Sequence, residues 1–69
     1  MEVSARNQLA GKVKNVVLGG VMAEVTVDIG DGKEIVAAVT RSSVERLGLA
    51  EGTEVVAIIK ATEVMVGKR

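Results

Sequence analysis

The chain has 69 residues, of which 48% are hydrophobic; it lacks aromatic residues, cysteine and histidine, and its nine basic residues balance nine acidic ones. This length allows one small domain over residues 1–69, burying only about 60% of its unfolded surface, with neither disulfides nor a histidine- or thiolate-held metal to reinforce it. Zero net charge argues against the basic face that nucleic acid requires, and no run approaches the ~20 apolar residues that span a bilayer.

Self-association is the reinforcement left open, and the surplus of Val, Ala and Ile predicts an obligate homo-oligomer. The N-terminus, with Glu2 and Arg6 and no apolar run, does not read as a secretory signal. Together with the absence of cysteine, this gives the expectation of a soluble, cytoplasmic protein.

Valine, isoleucine and threonine dominate, turn signals are regularly spaced and proline is absent, which reads as a series of short strands. The first strand is predicted over 7–17, with Gly11 marking a bulge or a close approach of another backbone. Leu18-Gly19-Gly20 breaks it. From Met22 to Asp28 the residues alternate, Ala23, Val25 and Val27 on one side and Glu24, Thr26 and Asp28 on the other, so one face is buried and one is wet. Gly30-Asp31-Gly32 supplies the positive-φ residues of a hairpin turn into a third strand over 33–39. Ser42 with Glu45 forms a capping-box pattern and Gly48 a C-terminal stop, bounding a helix over 43–47 whose Val44 and Leu47 face the core. After a turn at Ala50-Glu51-Gly52, a fourth strand is predicted over 54–59 and a fifth over 63–66, with Gly67-Lys68-Arg69 as a frayed tail. The fold class is therefore all-β: a small five-stranded barrel of the oligonucleotide/oligosaccharide-binding (OB) type, with one short helix between strands 3 and 4. No internal repeat accompanies it.

Catalysis has little to stand on, because there is no histidine, no cysteine nucleophile and no Ser/Lys/Asp spacing that would assemble one. The chain is read as a non-enzyme. Asp28 and Asp31 flank a glycine turn and read as turn formers rather than calcium ligands, and no free metal cation is expected. Single-stranded nucleic acid is excluded as a partner by the lack of aromatic stacking platforms. A bound oxyanion survives these tests, since it needs short N–H and O–H donors with one or two cations. Ser4 and Arg6, two residues apart and projecting to the same side of an extended chain, are one candidate set, and Lys60 with Thr62 repeats the spacing. Thr40, Ser42 and Ser43 crowd the start of the helix as a third. Taken singly, each has an ordinary role as a solvated charge, an edge-strand lysine or a helix cap. Their combination in so short a chain favours the anion.

Ser4-Ala5-Arg6-Asn7-Gln8-Leu9-Ala10-Gly11-Lys12-Val13, the double glycine at 19 and 20, Thr40-Arg41-Ser42-Ser43 before Leu47-Gly48-Leu49, and Ile58-Ile59-Lys60-Ala61-Thr62-Glu63-Val64 closely resemble the molbindin, or Mop, family. The resemblance runs through essentially the whole chain. It implies cytoplasmic binding of molybdate or tungstate, with no organic cofactor, by a homo-oligomer of barrel domains, a hexamer built as a trimer of dimers in single-domain members. No membrane partner is implied. Carried over by position, the dimer-interface site falls on Ser4, Arg6, Lys60, Ala61 and Thr62 of one subunit, with Thr40 and Ser43 from its neighbour. Relatives often carry serine after the alanine-like position near Lys60, where this chain shows Ala61 followed by Thr62, so either the Thr62 hydroxyl or a backbone N–H takes that role. A second class of site on the three-fold axis falls on the Leu18-Gly19-Gly20-Val21 loop, which could equally be a plain hairpin turn. With no fused domain in the sequence, storage or buffering is the expected role; an anion-responsive module controlling a partner protein is the alternative.

Overall fold

The computed structural model describes residues Met1–Arg69. It contains β1 (Asn7–Leu18), β2 (Met22–Gly30), β3 (Lys33–Thr40), α1 (Arg41–Leu47), β4 (Glu54–Ile59) and a 3-10 turn at Ala61–Glu63. The four strands form one antiparallel sheet in the order β3-β2-β1-β4, curled into a half-barrel. No helix is long and apolar enough to cross a membrane.

The β2–β3 hairpin forms as the turn residues require. Gly30, Asp31 and Gly32 take φ values of 96°, 55° and 70°, and the Asp28 Oδ1 accepts the Gly30 N–H at 2.8 Å, holding a turn that a β-branched residue could not enter. Upstream, the alternation of β2 puts Ala23, Val25 and Val27 into the core, where Val13 of β1 and Val44 of α1 join them. These five are all the buried residues. A core of five small side chains is meagre even for a domain of this size.

β1 resolves the two readings of Gly11. The bulge lies three residues later, where the pairing jumps from Val13↔Val27 to Asn15↔Thr26 and leaves Lys14 unpaired. The extra residue lets Val13 and Val16 both turn inward although they are three apart, with Lys14 and Asn15 outside. Lys14 then pairs across the sheet with Glu34. That hydrogen bond, with the charge of Glu34 behind it, raises the lysine pKa, so Lys14 keeps its half of the pair charged at neutral pH and gives it up only as pH climbs past the ordinary lysine range. Gly11 is instead a close approach: a Cβ there would sit 2.3 Å from the Asp28 carbonyl oxygen. Because the obstacle is backbone, Gly11→Ala should cost about 2–3 kcal/mol and lower the thermal midpoint by roughly 10 °C or more. An unchanged melting curve by circular dichroism would contradict the contact.

Three expectations are corrected. The helix begins two residues earlier than predicted, and its N-cap is Thr40, not Ser42: the Thr40 Oγ1 accepts the Ser43 N–H at 3.1 Å from an extended backbone at the end of β3, where the Cap position requires non-helical φ and ψ. The C-terminal stop is as expected, with Gly48 at φ 63° and the Leu49 N–H on the Val44 carbonyl. Leu47 is 62% exposed rather than a core residue, because so short a helix turns only Val44 squarely onto the sheet. Lastly, 63–66 forms no strand: the chain tightens into the 3-10 turn at Ala61–Glu63, and Val64, Met65 and Val66 are 49%, 93% and 93% exposed.

What that missing strand leaves is a slot. Residues 35–39 of β3 and 55–59 of β4, with Val27, Leu47 and Leu49, line a cavity of about 470 Å³ whose side chains are all apolar. The two lining strands are the edges of the sheet, so their outward backbone groups lack ladder partners.

Candidate functional site

The N-terminal candidates and the Lys60 segment meet at one end of the sheet. The β1–β4 ladder closes with Asn7↔Ile59, and the next positions in an antiparallel register are Arg6 and Lys60. The Asn7 Nδ2 donates to the Ile59 carbonyl at 3.2 Å and the Gln8 Nε2 to the Ala5 carbonyl at 2.7 Å, so both amide side chains of the opening motif fasten this segment. The chain bends at Ser4 and at Arg6, which corrects the expectation of an extended stretch projecting both side chains to one side. Lys60 keeps an extended backbone, and Ala61 and Thr62 enter the 3-10 turn. The chain's two ion pairs are Lys14–Glu34 and Arg41–Glu45. Arg6 and Lys60 therefore share a strand end with no carboxylate to neutralise them, an arrangement that attracts an anion.

The second set lies at the other end. The Thr40 hydroxyl is 2.7 Å from the Ser43 hydroxyl and 3.2 Å from that of Ser42. Thr40 pairs with Met22 at the start of β2, directly after the loop that follows Leu18, so the glycine loop and the hydroxyl cluster are neighbours. In that loop the Gly19 N–H donates to the Met22 carbonyl at 2.7 Å, and a Cβ on Gly19 would lie 2.7 Å from the same oxygen. Gly19 thus closes the hairpin, and its N–H is not free for a ligand. The N–H groups of Gly20 and Val21 make no backbone hydrogen bond, leaving them as the loop's available donors. Leu18 belongs to β1 and pairs with Ala23. An open cleft of about 340 Å³ is lined by Gly20, Val21, Thr40, Arg41, Ser42 and Glu45.

The two sets do not meet within one chain. Arg6 precedes the first residue of β1, whereas Thr40 pairs beside the last residues of the same 12-residue strand, and a strand of that length spans roughly 40 Å before curvature. They also flank opposite edges, β4 and β3. Arg41 escaped the sequence reading. It is held by Glu45 at 3.1 Å and reaches the Gly19 carbonyl at 3.2 Å, and the four-residue spacing of arginine and glutamate was the available signal. No group of three or more acidic residues converges as a metal site. Hydroxyls, free amides and unpaired cations at the sheet ends are the kinds of group that bond to an anion.

Residues 3–66 match the TOBE domain family. The chain is 51% identical over 67 residues, 97% of each protein, to a probable molybdenum-pterin-binding protein of Haemophilus influenzae. Among solved structures it resembles a molybdate-binding protein from Sporomusa ovata at a TM-score of 0.91 and 47% identity, covering 99% of this chain and 100% of that one. It also resembles the cytoplasmic molybdate-binding protein ModG with molybdate bound, at a TM-score of 0.84 and 46% identity over 88% of this chain and 43% of that one. Likeness of this extent, in residues and backbone together, places the chain in the TOBE domain family, among its molbindin, or Mop, members.

Proposed function

We propose that this chain binds molybdate or tungstate as a dianion at interfaces between copies of itself, without chemistry on it, and serves as a cytoplasmic store or buffer. The observation that carries this reading is the separation of complementary donor sets to opposite ends of one sheet. Two copies related by a two-fold axis would set Arg6, Lys60, Ser4 and the Ala61–Thr62 segment of one against Thr40 and Ser43 of the other, twice over. Two cations match the two charges of the ligand, and the hydroxyls and amides fix its tetrahedral shape. Discrimination against sulfate, which has the same charge and shape, then rests on the size of the enclosed space.

The meagre core and the apolar slot support the assembly. The slot runs between two unpaired strand edges, and the same chain ends in the exposed segment Val64-Met65-Val66. In the assembly a partner's tail lies in this slot and is itself replaced reciprocally, satisfying backbone groups and apolar side chains together. Three such dimers make a hexamer, with the Leu18–Val21 loops gathered on the three-fold axis and the free amides of Gly20 and Val21 as donors. No organic cofactor, nucleic acid or membrane takes part.

Titration with sodium molybdate by calorimetry and native mass spectrometry tests this reading. The expected result is anion uptake by a multi-subunit particle, with the melting midpoint rising as ligand stabilises the assembly by about 2.7 kcal/mol at a hundredfold excess over the dissociation constant. Absence of heat together with an unmoved midpoint would refute it.

A further inference from the structure

Arg41 is the one side chain that ties the glycine loop to the hydroxyl cluster. Its backbone N–H donates to the Val21 carbonyl at 2.7 Å, its Nη1 to the Gly19 carbonyl at 3.2 Å, and its Nε to Glu45 at 3.1 Å. The first two bonds, one of them across 22 residues of sequence, close on both sides of the Gly20–Val21 amides. The residue also sits between Thr40 and Ser42, so any movement of its backbone moves the cap hydroxyls. Its side chain is about half exposed, and so contributes little to the core. A guanidinium carries five N–H donors in a rigid plane, and two are engaged here, one by a carbonyl and one by a carboxylate. Lysine carries the same charge without that plane.

We infer that Arg41 is a positioning residue for anion binding: braced by Glu45, it holds the Gly20 and Val21 amides of the proposed three-fold site in fixed relation to Thr40 and Ser43 of the proposed interface site. This rests on the proposed molybdate-binding function and deepens it, since it assigns a role to a residue that supplies no donor to the ligand. Loss of such a supporting bond lowers affinity by about tenfold or more in comparable outer-shell positions. The positive charge of Arg41 is already offset by Glu45, so its geometry and not its charge is what counts.

The test compares wild type, Arg41→Lys and Glu45→Gln, titrated with sodium molybdate and followed by calorimetry and by the amide resonances of Gly20 and Val21 in 15N-labelled protein. Arg41→Lys keeps the charge and is expected to weaken molybdate binding about tenfold, with the melting midpoint of the ligand-free protein nearly unchanged. Glu45→Gln, which leaves Arg41 and every proposed donor in place, is expected to weaken binding in the same direction by a smaller factor. Wild-type affinity in both variants, or an affinity loss matched by a proportional fall in the ligand-free midpoint, overturns the assignment, the second outcome reducing Arg41 to a structural tie. If Arg41→Lys does not fold, Glu45→Gln alone decides by the same criteria. Wild-type protein that takes up no molybdate overturns the function itself, a failure distinct from uptake that ignores Arg41.

Discussion

Replacing Val64 and Val66 together by aspartate is expected to dissolve the assembly into monomers of 7.2 kDa. Both residues lie at the surface of the isolated chain, Val66 at 93% exposure, so the substitution should leave the monomer's own core of Val13, Ala23, Val25, Val27 and Val44 undisturbed. In the proposed dimer each valine is buried in the partner's slot. Four of them, at about 1.5 kcal/mol each, represent about 6 kcal/mol. That is about four orders of magnitude in the dissociation constant, before the cost of burying four carboxylates is counted. Light scattering at micromolar concentration should therefore register the change as loss of the multi-subunit particle, and molybdate uptake should vanish with it because each site draws on two copies. A particle of unchanged mass would show that something other than the tail fills the slot.

Arg6→Ala is expected to act oppositely, weakening uptake while leaving the particle whole. Arg6 is exposed and forms neither of the chain's ion pairs, so the ligand-free fold gains nothing from its side chain. Beside Lys60 it adds repulsion, and the ligand-free midpoint should hold steady or rise slightly. Removing one partner of an enclosed, hydrogen-bonded charge pair costs about 2–5 kcal/mol, which weakens molybdate binding by roughly 30- to 5,000-fold. Arg6→Lys, retaining the charge but not the planar fork, should fall between. Calorimetry on the three proteins distinguishes these outcomes, and equal affinities would move the site away from this end of the sheet.

The two experiments separate assembly from recognition. The first removes apolar contacts that no anion touches; the second removes a donor that no folded contact needs. A protein that failed both in the same manner, losing mass and ligand together in Arg6→Ala, would indicate that the anion itself holds the subunits together.

Local features were legible wherever one residue type admits few conformations. Gly30-Asp31-Gly32 announced its hairpin because all three positions need φ values that glycine and aspartate tolerate. The period-two alternation from Ala23 to Val27 marked the buried face directly. The helix start was less legible, because Thr40, Ser42 and Ser43 all offer capping hydroxyls and only the extended backbone at the end of β3 selects Thr40. The bulge at Lys14 had a faint signature in two inward valines three residues apart, which alternation alone reads as an error of phase.

By itself, the sequence determined the order of the four strands and the helix, the hairpin turn, and where hydroxyl and cationic side chains cluster along the chain. These depend on residue type and short-range spacing, which a linear chain carries openly. Tertiary structure decided which of those groups are neighbours. The ladder that ends at Asn7↔Ile59 brings the chain positions of Arg6 and Lys60 to one end of the sheet, the hairpin claims the Gly19 N–H, and Arg41 joins elements 22 residues apart. It also decided that Val64–Val66 finds no strand partner within its own sheet. Pairing partners are chosen by long-range register and by the edges left open after the sheet has closed, and no local pattern of residues encodes either.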